Sequence, residues 1–449
     1  MDIIYKILQF LMSLSFLVIL HELGHFIPAK LFGTRVEKFY LFFNPWFSLF
    51  KFKKGETEYG VGWLPLGGYV KIAGMIDESM DTESLKKPAE SWEFRAKPAW
   101  QRLIMMSGGV IVNLLLGFVI YAMMLFAWGE IKIDNQNTPF GYEFSDFLRQ
   151  ELKLETGDQI IAINNEPVLY FNQITEKLIL AENLTVLRAG QKITLDIPKD
   201  FLAKLQDSAN KMDPWVQLRF PLIVGQILPE SLNIDAGLEI GDEIIAVNGE
   251  KIQFFDEFRK KMSFLVSEKV HLTILRTQHE QHLEVMTDEN GKIGIVPKYL
   301  NLEEFEARGI YHIKVMEYGF FESFPAGVQK GIQTLTNYIR QLGLFFKPET
   351  KAYKSIGGFA SIGNMFPSAW DAATFWNITA VLSIILAFMN ILPIPALDGG
   401  HVLFLFYEMI TGKAPNQKFL EIAQTIGMIL LFLLLLYANG NDVFRFFYK

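Results

Sequence analysis

Hydrophobic positions are unevenly spread along this chain. They gather into four blocks, 7–31, 103–127, 375–394 and 422–437, each near the ~20 apolar residues that a helix needs to cross a bilayer. The pattern predicts four transmembrane helices. The first block has only a thin charged flank, no small-residue cleavage site follows it, and it leads straight into His21-Glu22-Leu23-Gly24-His25. It therefore reads as a retained span and not as a signal peptide. Between the second and third blocks the chain looks like an ordinary soluble sequence. Late in that stretch Val328, Ile332, Leu335, Ile339 and Leu342 recur at helical spacing, with Lys330, Gln333, Asn337 and Arg340 opposite. This predicts an amphipathic surface helix, with a gating role as the alternative.

The soluble stretch repeats itself. Leu154-Glu-Thr-Gly-Asp-Gln-Ile-Ile-Ala-Ile-Asn-Asn-Glu-Pro-Val168 aligns without gaps to Leu238-Glu-Ile-Gly-Asp-Glu-Ile-Ile-Ala-Val-Asn-Gly-Glu-Lys-Ile252, identical at nine of fifteen positions. A short helical pattern follows each copy, then a β-rich segment opening Leu184-Thr-Val-Leu-Arg188 or Leu272-Thr-Ile-Leu-Arg276. Gly-Asp-x-Ile-x-x-(Ile/Val)-Asn resembles the pattern of PDZ domains, so two tandem α+β PDZ-like domains are expected. In the second copy, Ile223, Val224 and Gly225 open the segment where such domains add a peptide strand or capture a terminal carboxylate. The first copy has Leu152-Lys153 where the second has Ala236-Gly237, and Asn165 where the second has Gly249. Spacers or steric filters without a peptide ligand are the alternative.

Between the first two blocks, residues 58–72 have hairpin character, with apolar arms around Pro65-Leu-Gly-Gly68. Too short to cross a bilayer and unable to expose free edges to lipid, this hairpin is expected to dip into the membrane against protein. Half of the residues are hydrophobic and 20% charged, more apolar than a typical soluble chain. The net charge of −7 and the lack of a basic face argue against a nucleic-acid partner. Cysteine is absent, which removes disulfides and every thiolate site. Lysines and arginines crowd the loop between the first two blocks, from Lys30 through Lys51, Lys71, Lys87 and Arg95 to Arg102. By the positive-inside rule that loop is cytoplasmic, as is the loop with Lys413 and Lys418, and the stretch 128–370 lies outside.

The chemistry centres on His21-Glu22-Leu23-Gly24-His25. On a helix, positions i and i+4 share a face, so His21 and His25 can bind one metal, with Glu22 beside them to take a proton from water. Such residues at the end of an apolar span are costly and usually mark function. A catalytic zinc wants a third protein ligand and one open position. Asn390-Ile-Leu-Pro-Ile-Pro-Ala-Leu-Asp398-Gly-Gly-His401 supplies Asp398, with His401 as a competing ligand. Pro393 and Pro395 stop the third span, and Gly399 and Gly400 permit a tight turn.

A His-Glu-x-x-His in the first span, an Asn-x-x-Pro-x-x-x-x-Asp-Gly in the third, and PDZ-like repeats between them resemble the site-2 proteases, in the order of the bacterial regulator-of-sigma-E protease type. Pro65-Leu-Gly-Gly-Tyr-Val70, Gly357-Gly358 before Ser361-Ile362, and Asn441-Asp442 match as well; Gly109 and Phe359 stand where relatives often have proline. The resemblance implies an intramembrane zinc metalloendopeptidase of the bacterial inner membrane. His21, His25 and Asp398 would bind Zn2+, Glu22 would be general base and acid, and Asn390 would hold the substrate backbone. An unwound substrate would pair with the hairpin around Gly60, Val61 and Gly62. Substrates would be single-pass membrane proteins, either anti-sigma factors or signal-peptide remnants. The expected architecture is a polytopic α-helical membrane protein, with a membrane region over 1–127, PDZ-like domains over 128–220 and 221–300, a segment with the amphipathic helix over 301–372, and a second membrane region over 373–449. The rival reading is an inert membrane scaffold that presents PDZ-like domains. A scaffold has no need of Glu22 or Asp398 at membrane depth.

Overall fold

The computed structural model describes residues 2–65, 67–75, 88–136, 138–202, 204 and 214–447. The chain divides into two compact units: Met1–Glu130, Glu317–Lys347 and Ala352–Lys449 form one, and Ile131–Met316 with Pro348–Lys351 the other.

The first unit is helical, with one small sheet. Its main helices are α1 (Asp2–Leu31), α2 (Ala99–Trp128), α3 (Phe320–Gly343), α4 (Ala372–Ile391), α5 (Asp398–Thr411) and α6 (Gln417–Phe447). Four of them, α1, α2, α4 and α6, are long and apolar enough to cross a membrane, in the order that the four blocks predict. At the centre α2 packs against α1, α3, α4 and α5. The approach of α1 to α2 depends on glycine: a Cβ on Gly24 would lie 2.5 Å from the Gly108 carbonyl oxygen. Close backbone contact of this kind is how helices associate where no hydrophobic effect drives them together. Polar pins add to it. Ser13 meets Thr379 at 2.9 Å across α1 and α4, and Ser383 donates to the Asn113 carbonyl at 2.6 Å across α4 and α2.

The amphipathic segment becomes α3; Leu335 of its apolar stripe packs against the cluster of Ile120, Tyr121, Ala380 and Ile384, but the stripe as a whole is not the face that packs on α2. Small residues do that: Ser323, Gly327 and Gly331 are buried, the two glycines against Ala122 and Phe118. Ile332 and Ile339 stay exposed. Backbone proximity, and not side-chain bulk, selects the packed face. The start of α5, unforeseen as a helix, folds under the end of α4. Gly399 and Gly400 are its first turn and do not make the tight bend expected of them. They serve by lacking a Cβ, which would meet the Leu392 and Ile394 carbonyls at 2.2 and 2.7 Å. The segment before α4 is clasped to α6: Asp442 accepts from the Gly358 and Ser361 amides at 3.0 and 2.9 Å, and Asn441 donates to the Ile356 carbonyl at 2.6 Å.

The hairpin expectation changes most. The strands β1 (Val36–Leu41), β2 (Phe43–Lys54), β3 (Thr57–Leu64) and β4 (Tyr69–Ile72) form a sheet in the order β2-β3-β1-β4. The two expected arms are β3 and β4, and they do not pair with each other. Strand β1 lies between them, parallel to β3 and antiparallel to β4. Leu66 of the expected turn lies outside the described residues.

The second unit carries strands β5 (Glu130–Ile133), β6 (Tyr142–Phe144), β7 (Gln159–Ile163), β8 (Glu166–Pro167), β9 (Asn183–Arg188), β10 (Gln191–Asp196), β11 (Val216–Leu218), β12 (Val224–Ile227), β13 (Glu243–Val247), β14 (Glu250–Lys251), β15 (Lys269–Arg276), β16 (His279–Met286), β17 (Ile295–Pro297) and β18 (Ile313–Met316). The repeat in sequence is a repeat in structure. Sheets β10-β9-β7-β8 and β16-β15-β13-β14 share one order, with helices Asn172–Leu178 and Phe255–Met262 at matching places. The repeated Gly-Asp and the repeated terminal arginine meet. Arg276 forks onto Asp242 with two bonds of 2.7 Å and reaches the Gly237 carbonyl at 2.7 Å; Arg188 does the same to Asp158, at 2.7 and 2.7 Å, and to the Lys153 carbonyl at 2.8 Å. Where the second copy uses Gly237 at φ +84°, Lys153 adopts φ 55°, a left-handed conformation that costs an L-residue about 1 kcal/mol. Strands β5 and β18 pair, so the unit begins and ends side by side.

Candidate metal centre

Three elements of the first unit bring the centre together. Within the long apolar run of α1, His21 and His25 fall one turn apart, and their rings pack edge to face at 4.9 Å. Asp398 opens α5, directly after the proline-rich end of α4. The nitrogens His21 Nε2 and His25 Nε2 lie 3.2 Å apart, and each is 3.3 Å from Asp398 Oδ2. Ligands held at about 2.0–2.1 Å by a tetrahedral zinc stand about 3.3–3.4 Å apart, so this triangle has the edge length of three corners of such a site. The donor set of two imidazoles and one carboxylate is also that of an open zinc site. Asp398 Oδ2 is buried and accepts no hydrogen bond, a costly state for a carboxylate unless a cation meets it. Among the described residues these three form the one cluster that could hold a metal.

The centre lines a cavity of about 700 Å³. Glu22, buried, borders it, as do His401, Asn390, Asn113 and, on α6, Gln424. His401, the competing ligand, shares the cavity but not the cluster. Asn390 Nδ2 is 3.5 Å from His21 Nε2. Apolar walls come from Leu14, Leu17, Val18 and Leu386, and the opposite wall is residues 67–72. That wall fits closely. A Cβ on Gly68 would lie 2.6 Å from Val18 Cγ1 and 2.8 Å from the Tyr40 carbonyl oxygen, so glycine there lets the sheet touch α1.

Gly60, Val61 and Gly62 do not offer the open edge expected of them. Strand β3 is internal: Gly60 and Val61 pair with Tyr40 and Leu41 on one side and with Lys51 and Phe50 on the other. The outer strand next to the cavity is β4. Ile223 and Val224 are buried in the second unit. The Ile223 carbonyl already accepts from the Lys298 amide at 2.8 Å, the Val224 amide donates to Asp242, and a Cβ on Gly225 would lie 2.8 Å from the Lys298 nitrogen. Asn113 and Gln424 had no place in the sequence reading, and of the expected 58–72 hairpin it is the β4 arm that keeps a free edge. Asn113 could have been found by the rule that singled out Asp398, since it is a carboxamide in the middle of an apolar block.

Comparison with known proteins agrees with the geometry. The model of peptidase family M50 matches residues 9–434. Over 99% of the chain and all of the relative, the sequence is 26% identical to Protease RseP of Yersinia pestis, and it is equally similar to the regulator of sigma-E protease RseP of Escherichia coli. Zinc metalloprotease RasP of Geobacillus kaustophilus is 27% identical over 98% of each chain. With a family match across nearly its whole length and a two-histidine, one-carboxylate cluster between apolar helices, the chain belongs to peptidase family M50, as an intramembrane metalloendopeptidase of the site-2 protease type.

Proposed function

We propose that His21, His25 and Asp398 hold one zinc ion and that Glu22 is the general base and acid for hydrolysis of peptide bonds in membrane-spanning substrates. The observation that carries this is the triangle of ligand atoms with sides of 3.2, 3.3 and 3.3 Å; relatives named as zinc metalloproteases support the choice of metal. Zinc in such a site polarises a carbonyl and makes water easier to deprotonate. The carboxylate of Glu22 takes the proton of the attacking water and returns it to the leaving amine. Asn390 offers a carboxamide to the substrate main chain.

A helical substrate hides its peptide bonds and must unwind, and freed amides are costly in an apolar setting. Strand addition to the outer edge of β4 meets that cost, since β4 walls the cavity that holds Glu22. The lysine and arginine distribution supports a cytoplasmic side for this sheet and an external side for the unit Ile131–Met316. For the PDZ-like copies we propose a steric filter, because strand addition at Ile223–Gly225 competes with the contacts that segment already makes to Lys298 and Asp242.

The test is Glu22→Gln in purified protein reconstituted with a single-span substrate. Cleavage should fall by at least about 10²-fold while zinc stays near one per chain. Cleavage within tenfold of wild type would refute Glu22 as the base, and a wild type active without metal would refute the site.

A further inference from the structure

Asn113 lies in the middle of α2, 1% exposed, and polar side chains at such depth need a reason. Its carboxamide nitrogen is 3.2 Å from His21 Nδ1, while its oxygen is buried with no hydrogen-bond partner. Its main-chain carbonyl accepts from Ser383, which ties this turn of α2 to α4. The other histidine shows what the surroundings of such a ring require. His25 Nδ1 is 2.8 Å from the Met105 carbonyl oxygen, which can only accept. His25 Nδ1 therefore carries the proton, and Nε2 keeps a free lone pair.

His21 presents Nε2 to the same triangle. A neutral imidazole with a bare Nε2 carries its proton on Nδ1, and that N–H must find an acceptor. With the amide nitrogen towards the ring, two donors face each other and the carboxamide oxygen is stranded. Turning the carboxamide end for end, an exchange of atoms of nearly equal size, puts Oδ1 on the Nδ1–H, so that a donor meets an acceptor. We propose that Asn113 is a positioning residue: its Oδ1 accepts from His21 Nδ1–H, fixing the tautomer and ring orientation that leave Nε2 free for the metal. This rests on the reading of His21 as a ligand. It gives the two histidines equivalent outer partners, a main-chain carbonyl for one and a side-chain carbonyl for the other.

The two orientations of the amide predict opposite outcomes for one substitution. In Asn113→Asp the side chain accepts but does not donate, whereas Asn113→Leu keeps the branched shape and does neither. Zinc affinity is measured by chelator competition on the full chain in detergent, beside circular dichroism and elution profile. Asn113→Leu should weaken zinc about 10–100-fold, as loss of an outer partner typically does, and Asn113→Asp should stay within about threefold of wild type. Wild-type affinity in Asn113→Leu overturns the proposal, as does an Asn113→Asp protein that is folded yet as weak as His21→Ala. Should Asn113→Leu not fold, Asn113→Asp decides alone. A wild type that binds no zinc, or a His21→Ala protein that binds it normally, would instead refute the ligand assignment.

Discussion

A buried carboxylate oxygen with no donor destabilises a fold unless a cation answers it, and Asp398 Oδ2 is in that position between two imidazole nitrogens. If the zinc reading holds, Asp398→Ala should drop zinc from about one per chain to near zero by metal analysis, with the helical content kept. Metal retained at wild-type level would move the third ligand elsewhere, His401 being the nearest alternative in the cavity. The same scale explains why a glycine separates the motif's glutamate and second histidine. At Gly24 any side chain would press on the Gly108 carbonyl and part α1 from the helix that supplies Asn113 and the Met105 carbonyl.

Among elements, the sheet matters through where it stops. Gly68 lets β4 lie against Val18 and beside Glu22, so Gly68→Val should push the strand outwards by the width of a side chain. A shift of about 1 Å can cost 10²-fold in rate. Cleavage should fall by about that factor with zinc unchanged; an unaffected rate would separate β4 from substrate binding. In the second unit the Arg276–Asp242 fork makes a different prediction. Burial alone would raise the Asp242 carboxyl, but Arg276 and the Glu239 amide outweigh it and hold it below the usual carboxylate range. A depressed carboxyl contributes stability that is complete above the unfolded value of ~3.9 and is lost as pH falls through the folded value. Arg276→Met should therefore cost about 3 kcal/mol near pH 7. The gap to wild type should narrow as the pH falls and close only once the pH has passed below the depressed value of Asp242 in the wild type, where the carboxyl is protonated in both proteins. Urea melts of the full chain at several pH values would show it, and a gap independent of pH would refute it.

For the molecule as a whole, the pairing of β5 with β18 makes Ile131–Met316 an insertion whose ends lie together. Such a unit can be replaced by a short linker with little strain on what carries it. If it filters by size, a chain lacking 131–316 should still cut a short substrate. It should also accept a substrate with a bulky external domain that the intact protein rejects. Peptide capture predicts otherwise: changes at Ile223, Val224 or Gly225 alone would reduce cleavage of a pre-trimmed substrate. An unchanged size preference after deletion would rule out the filter.

Local pattern determined much of this. Length and apolarity suffice to define the four helices, because a span must satisfy its own backbone inside itself. The i, i+4 histidines and the lone aspartate stood out because ionisable groups are costly at that depth. The two copies could be aligned because each is a local unit, closed by an Arg–Asp fork whose two halves both lie in the repeated segments. Other features depended on neighbours distant in the chain. The order β2-β3-β1-β4 turns on β1, whose residues give no hairpin signal, so the free edge moved from Gly60–Gly62 to β4. The packed face of α3 was set mainly by small residues that suit α2, with Leu335 of its apolar stripe beside them. Asn113 gained meaning only when α2 came to lie against His21, 92 positions away. Local spacing says which groups can act together, and only packing between helices says which atoms meet.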